Sequence, residues 1–262
     1  MPAVAYERRG TGPPLVLLHG VGHRRQAWNA VLDLLTPHRT VITVDLPGHG
    51  ESPPLRLDGR PPVLAIAEEI FAFFDEMGLD RPHVAGNSLG GALALIAGAQ
   101  GRAATVTGLS PAGFWARNWE FGYAKAVFVA GQLFGSAARP LIPAMARRTL
   151  GRAAIVGGFV ARPSRMPAGQ AAADALAFLR ARDTVRMILA ESVSFTESVP
   201  GGVPVTIAWG TKDRILYPRQ ARVAMRHLPH AGFVPLPGCG HVPMTDNPGL
   251  VAKVLLLGSE LA

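Results

Sequence analysis

Two patterns of apolar residues alternate along the chain. The first is a set of short runs that are β-branched or leucine-rich: "PLVLLHG" (14–20), "TVITVDL" (40–46), "PHVAGN" (82–87), "TVTGLS" (105–110), "VPVTIAWG" (203–210) and "GFVPLPG" (232–238). Continuous β-branched or leucine-rich runs of this length suit strands buried on both faces of a parallel sheet. The second pattern has helical spacing. In "PVLAIAEEIFAFFDEMG" (62–78) the apolar residues Leu64, Ala67, Ile70, Phe71, Phe74 and Met77 recur at steps of mostly three and four, and Gly78 ends the run. "QAWNAVLDLL" (26–35), "SLGGALALIAGAQ" (88–100), "PRQARVAMRHL" (218–228) and "PGLVAKVLLLG" (248–258) read the same way. Alternation of strand and helix predicts an α/β domain built on a mostly parallel sheet.

The rhythm breaks between Pro111 and Pro200. This stretch is alanine-rich and helical in tone, with no convincing strand and no repeat. It predicts a core made of residues 1–111 and 200–262, interrupted by a helical cap or lid over 112–199. The inserted stretch carries eleven basic and five acidic residues, so it holds most of the chain's net charge of +8.

At 262 residues, 48% hydrophobic and 17% charged, the chain suits one sizeable globular domain. Cys239 is the only cysteine, which excludes an intrachain disulfide and fits a reducing compartment. The opening "MPAVAYERRG" has no apolar core of signal-peptide length, and the most apolar later stretch, 126–138, is too short and too mixed to span a bilayer. A soluble, cytoplasmic protein without a membrane span is expected. The arginines are scattered singly or in pairs instead of forming a basic helix interleaved with aromatics, which argues against nucleic-acid binding.

The chemistry begins at Gly86-Asn87-Ser88-Leu89-Gly90. A strand enters, a helix leaves, and a serine sits on the turn between glycines, the arrangement that exposes a strained nucleophile. The plain alternative is a tight turn with a small residue at its tip. A serine hydroxyl needs a base, and the base needs an orienting acid. Asp213, just past "VPVTIAWG", and His241, between glycines and the end of the chain in "PGCGHVPMTDNP", follow in that order. Asp45 reads as an organiser of "PGHG", and His19 and His49 as shapers of the two glycine loops, while His23 is placed to face the mouth of the site. Cys239 reads as a small packed residue. No histidine pair has metal-ligand spacing beside a carboxylate or thiol. A phosphate-cradle reading of "GNSLGG" lacks the Lys-Ser/Thr ending of a P-loop.

With "HGVG" (19–22), "DLPGHGES" (45–52), "GNSLGG" (86–91), "WGTKD" (209–213) and "GCGHVP" (238–243), the chain resembles the α/β-hydrolase superfamily over nearly its whole length. The resemblance implies a sheet of about eight strands flanked by helices, with a lid after the sixth strand. Only 13 residues precede "PLVLLHG", so the first strands are expected to be short or incomplete. It further implies Ser88 as nucleophile, His241 as general base, Asp213 as its orienter, and an oxyanion hole from the backbone N–H groups of Val21 and Leu89, with no cofactor and no metal. Gly20, Gly22, Phe114, Trp115 and Val242 are the expected pocket residues.

The expected substrate is a small-molecule carboxylic ester or related carbonyl compound, cleaved through an acyl-enzyme. The elbow also resembles that of carbon–carbon bond hydrolases of vinylogous diketone acids, although "HGVGHRRQAW" has fewer glycines than their oxyanion loop. Ser88 argues against dehalogenase and epoxide hydrolase branches, which need an aspartate nucleophile. Lyase and haloperoxidase-like members share the triad. A catalytically silent binding protein on the same scaffold is the reading from another class. The basic insertion hints at an acidic substrate group, an observation that solvated arginines explain equally well.

Overall fold

The computed structural model describes residues 4–192 and 194–260. Seven strands form one sheet: β1 (Tyr6–Arg9), β2 (Pro14–Leu18), β3 (Thr40–Val44), β4 (His83–Asn87), β5 (Val106–Leu109), β6 (Val205–Gly210) and β7 (Gly232–Leu236). Their order is β1-β3-β2-β4-β5-β6-β7, with every neighbouring pair parallel except the antiparallel β1–β3 edge.

The sheet therefore has seven strands where about eight were expected. Ahead of β2 the described residues form one four-residue strand, "YERR", whose last two residues are exposed. That strand adds to the edge of β3, where polar side chains meet water, and so carries no apolar run by which it could be read. The six remaining strands lie where the apolar runs predict, each ending where its loop begins. All of β3 and β6 is buried, and four of five residues of β2. Each such Leu, Ile or Val removed from water contributes roughly 1.5–3 kcal/mol.

Helices cover both faces: α1 (Asn29–Leu35), α2 (Pro62–Glu76), α3 (Leu89–Ala99), α9 (Gln220–His227), α10 (Pro243–Asp246) and α11 (Pro248–Gly258). On α2 the buried stripe is Val63, Ile66, Ala67, Ile70, Phe73 and Phe74, while Leu64 is 37% exposed. The buried face is rotated from the one the apolar spacing picks out, because β-sheet contact selects among several apolar stripes on so hydrophobic a helix. Between β5 and β6 the chain forms α4 (Glu120–Ala138), α5 (Ile142–Ala146), α6 (Thr149–Val156), α7 (Ala168–Arg180) and α8 (Arg182–Ile188), with no strand among the described residues.

The carboxyl ends of β2, β4, β6 and β7 lead into the loops that carry Gly20–Gly22, Ser88, Asp213 and His241. In open α/β sheets that edge is where ligands bind.

Candidate active site

Ser88 joins β4 to α3 with φ 57° and ψ −116°. A non-glycine residue held there costs of order 1–3 kcal/mol, and the surroundings over-determine it. Ser88 N–H donates to Leu109 O at 3.0 Å, and Ser88 O accepts from the N–H groups of Ala92 and Ala112, each at 3.0 Å. The glycines two positions either side leave no alternative. A Cβ on Gly86 would lie 2.1 Å from Gly90 O, and one on Gly90 would lie 2.1 Å from Leu18 O. The turn is closed so tightly that only hydrogen fits, and Ser88 sits at its tip, 6% exposed.

His241 and Asp213 meet behind it. His241 Nδ1 and Asp213 Oδ2 are 2.8 Å apart, and both side chains are buried. Asp213 Oδ1 accepts the N–H groups of Ile215 and Leu216, each at 2.9 Å. The carboxylate is thus fixed by its own loop and accepts a hydrogen bond from Nδ1–H, which leaves the Nε2 lone pair of His241 available as a base. The His241 loop is held from three sides. Asn87 Nδ2 donates to His241 O at 2.8 Å, Asp246 Oδ2 accepts Gly240 N–H at 2.8 Å, and Val242 N–H donates to Phe159 O at 2.9 Å.

The Gly20–Gly22 loop lies across the elbow: a Cβ on Gly20 would come 3.2 Å from Ser88 Cβ. Two histidines fasten this loop. His19 Nε2 accepts Leu46 N–H at 3.0 Å, and His49 Nε2 accepts Gly22 N–H at 2.9 Å. Each ring must therefore stay neutral. Burial pushes His49 down to about 4 and His19 well below the ordinary histidine value. Asp45 organises the next loop, accepting Arg25 N–H at 2.6 Å and Glu51 N–H at 3.0 Å, and it pairs with the Arg25 guanidinium. Leu89 is the first residue of α3, whose leading N–H groups have no partner within the helix.

A cavity of about 420 Å³ opens over Ser88 and His241. Gly20, Val21, Gly22, Asn87 and Val242 line its sheet side. The opposite wall comes from the inserted helices, through Phe128, Gly131, Phe134, Ile142, Met145 and Phe178 among others. Gly20, Gly22 and Val242 thus lie where expected for pocket residues. Phe114 and Trp115 do not. After β5 the chain passes through Gly113 at φ +104°, whose O accepts Phe195 N–H at 3.1 Å. This turns Phe114 into the core against Phe195 and His227, with ring centroids at 5.7 and 6.2 Å, and sets Trp115 against Phe121 at 5.5 Å. The cavity aromatics come instead from α4, α7 and the segment after α6: Phe128, Phe134, Phe159 and Phe178.

No lysine or arginine lines the cavity; its charged side chain is Asp174, on α7. Asp174 Oδ1 accepts Arg24 Nε at 2.8 Å, and His23 Nε2 lies 3.9 Å from Oδ2. The hint of an acidic substrate group therefore finds no cation in the cavity, because the basic side chains of the insertion lie outside it. Cys239 is buried, its thiol pushed up to about 11 by burial, and reads as packing. Among the described residues no group of three or more His, Cys, Asp or Glu side chains is placed to hold a metal ion.

Asn87, Asp174, Phe178 and Asp246 have roles that sequence reasoning did not assign. Asn87 is a polar residue at the end of a buried strand, and Asp174 is the lone acid between Glu120 and Asp183. Both were visible as anomalies. Phe178 and Asp246 had no such signal.

The relatives agree with this architecture. The dihydrolipoyllysine-residue acetyltransferase component of an acetoin cleaving system from Cupriavidus necator is 41% identical over 114 residues, 42% of this chain, which spans only 30% of that protein's length. The pimeloyl-[acyl-carrier protein] methyl ester esterase of Nitrosomonas europaea is 26% identical over 270 residues, covering 95% of this chain and 96% of the esterase. Among solved structures, 2-hydroxy-6-oxo-6-phenylhexa-2,4-dienoate hydrolase from Rhodococcus sp. RHA1 superposes with a TM-score of 0.72 at 21% identity, over 98% of this chain and 99% of that one. The model of the Alpha/beta hydrolase family matches residues 15–254. This chain belongs to the alpha/beta hydrolase family.

Proposed function

We propose that this protein is a serine hydrolase of carboxylic esters with an apolar acyl or alkyl group. The observation that carries the reading is the His241–Asp213 hydrogen bond of 2.8 Å in one cavity with Ser88 on its strained elbow. Ser88 Oγ attacks the ester carbonyl while His241 Nε2 takes its proton. The tetrahedral oxyanion is received by the N–H groups of Val21 and Leu89, the second backed by the positive end of α3. His241 then passes the proton to the leaving alkoxide, the alcohol departs, and an acyl-Ser88 ester remains. Water, deprotonated by His241, attacks that ester and restores the serine. Asp213 holds the Nδ1–H tautomer throughout and stabilises the imidazolium. Residues 112–199 act as the cap that walls the acyl cavity.

The cavity favours esters over the diketone acids of carbon–carbon hydrolases. Those substrates carry a carboxylate, and among the described residues the Asp, Glu, Lys or Arg side chain lining this cavity is another carboxylate, Asp174, paired with Arg24. The test is hydrolysis of p-nitrophenyl esters from acetate to decanoate by wild type and Ser88→Ala. Wild-type turnover that falls on the order of 10⁴-fold in the variant supports the reading. A folded wild type inert toward the whole series overturns it and points to a silent binding protein or another substrate class.

A further inference from the structure

The inserted helices have an outer face that the reaction does not use. From Phe121 to Ala173 the chain carries seven basic residues and no Asp or Glu. The same helices expose much of the large apolar surface among the described residues: Val129 43%, Leu133 59%, Phe134 76%, Leu141 59% and Leu150 86%. Exposed apolar side chains gathered in one region mark an interaction site, whereas single ones need no explanation.

Part of this apolar surface meets basic residues in a groove of about 290 Å³ between α4 and α8, the second of which carries Arg182 and Arg186 together with one acid, Asp183. Val129, Leu133, Val185 and Leu189 form its apolar floor, and Lys125, Arg182 and Arg186 stand around it. On α4, residues 125, 129 and 133 recur every fourth position, and on α8 residues 182, 185 and 186, with Leu189 just past its end, follow helical spacing, so each helix turns one face to the groove. Among the described residues none of the three cations is paired with a carboxylate. Cations beside exposed apolar side chains are the pattern of a helix lying in a lipid interface with its basic side chains at the headgroups.

We propose that this face docks on an anionic lipid surface, with Val129, Leu133 and Phe134 entering the headgroup boundary and Lys125, Arg182 and Arg186 meeting lipid anions. Phe134 also lines the catalytic cavity, so docking sets the rim of that cavity at the lipid. No helix among the described residues is long and apolar enough to cross a membrane; the contact is peripheral. The inference goes beyond the ester-hydrolase reading, and its test reads binding instead of turnover.

The experiment is co-sedimentation of the full chain with vesicles of phosphatidylcholine alone or mixed equally with phosphatidylglycerol, at low and high salt. Binding is expected to the anionic vesicles only and to weaken with salt. Lys125→Glu/Arg182→Glu/Arg186→Glu lowers the partition coefficient on the order of 100-fold, and Leu133→Asn, which leaves the charge unchanged, lowers it about tenfold. Equal charge reversal at Arg56, Arg222 and Arg226, exposed on the core, leaves most of the binding intact. Absence of binding to anionic vesicles overturns the proposal, as does equal loss in the core variant, which makes the effect one of net charge. Binding to soluble polyglutamate as tight as to vesicles, and insensitive to Leu133→Asn, overturns it in favour of an acidic macromolecule.

Discussion

Asn87 Nδ2 donates both to His241 O at 2.8 Å and to Leu109 O at 3.0 Å, so one amide ties the residue before the elbow serine to the loop of the proposed base. Asn87 is 1% exposed; if the amide is removed, Leu109 O keeps the Ser88 N–H but the buried His241 O loses this donor. Asn87→Ala is expected to cost about 1–3 kcal/mol of stability. It also frees the His241 loop to drift, which lowers kcat on p-nitrophenyl esters roughly 10- to 100-fold while KM changes little. Asn87→Leu, of similar size and unable to donate, behaves the same way. A variant with wild-type kcat and lowered stability would show the amide to be structural alone.

Asp246 stitches the inserted helices to the same loop from the other side. Its carboxylate accepts Gly240 N–H at 2.8 Å, Ala161 N–H at 2.9 Å and Arg162 N–H at 2.7 Å. Asp246→Ala leaves three backbone donors without an acceptor and is expected to lower the free energy of unfolding in urea by about 2–4 kcal/mol. Asp246→Asn keeps one carbonyl oxygen and loses less. Equal losses in the two variants would mean that charge, not geometry, matters here.

Asp174 should govern which acyl groups the cavity accepts. Removing its charge in Asp174→Asn is expected to raise kcat/KM for half-esters ending in a carboxylate about tenfold relative to the unsubstituted acyl ester of equal length, since like charges in a shared cavity repel. The ratio of the two kcat/KM values, measured in both proteins, decides it. An unchanged ratio would place substrate carboxylates away from Asp174.

Acid should unfold the protein partly through His19 and His49. Both have folded-state values below the ordinary 6.5, His49 at about 4. Between these limits the unfolded chain binds more protons than the folded one, so stability is full above about pH 6.5 and falls as pH drops toward 4. His49 alone contributes up to about 3 kcal/mol to that loss. Urea midpoints measured from pH 7.5 to 4.5 should show the decline, and His49→Gln, whose carbonyl can still accept Gly22 N–H, should flatten it. A variant curve parallel to wild type would assign the acid sensitivity elsewhere.

Much was written in the sequence because it depends on neighbours in the chain. Apolar runs specify strands, which is why six strands and the α/β class were legible; β2 to β6 are buried as expected, whereas β7 lies at the sheet edge with Gly232, Phe233 and Pro235 exposed. Glycines two residues either side of Ser88 specify a turn only hydrogen atoms fit. The polar edge strand Tyr6–Arg9 escaped because an edge position needs no apolar signal. Only the tertiary structure decided which aromatics of 112–199 see the cavity. Helical spacing cannot say whether a face meets substrate or core, and the turn at Gly113 sends Phe114 inward while α7, distant in the chain, brings Phe178 and Asp174 to the site. The clamp from Asn87 to His241 spans 154 positions. Its meaning arises from strand order, since β4 sits centrally and the loop after β7 must fold back to reach it.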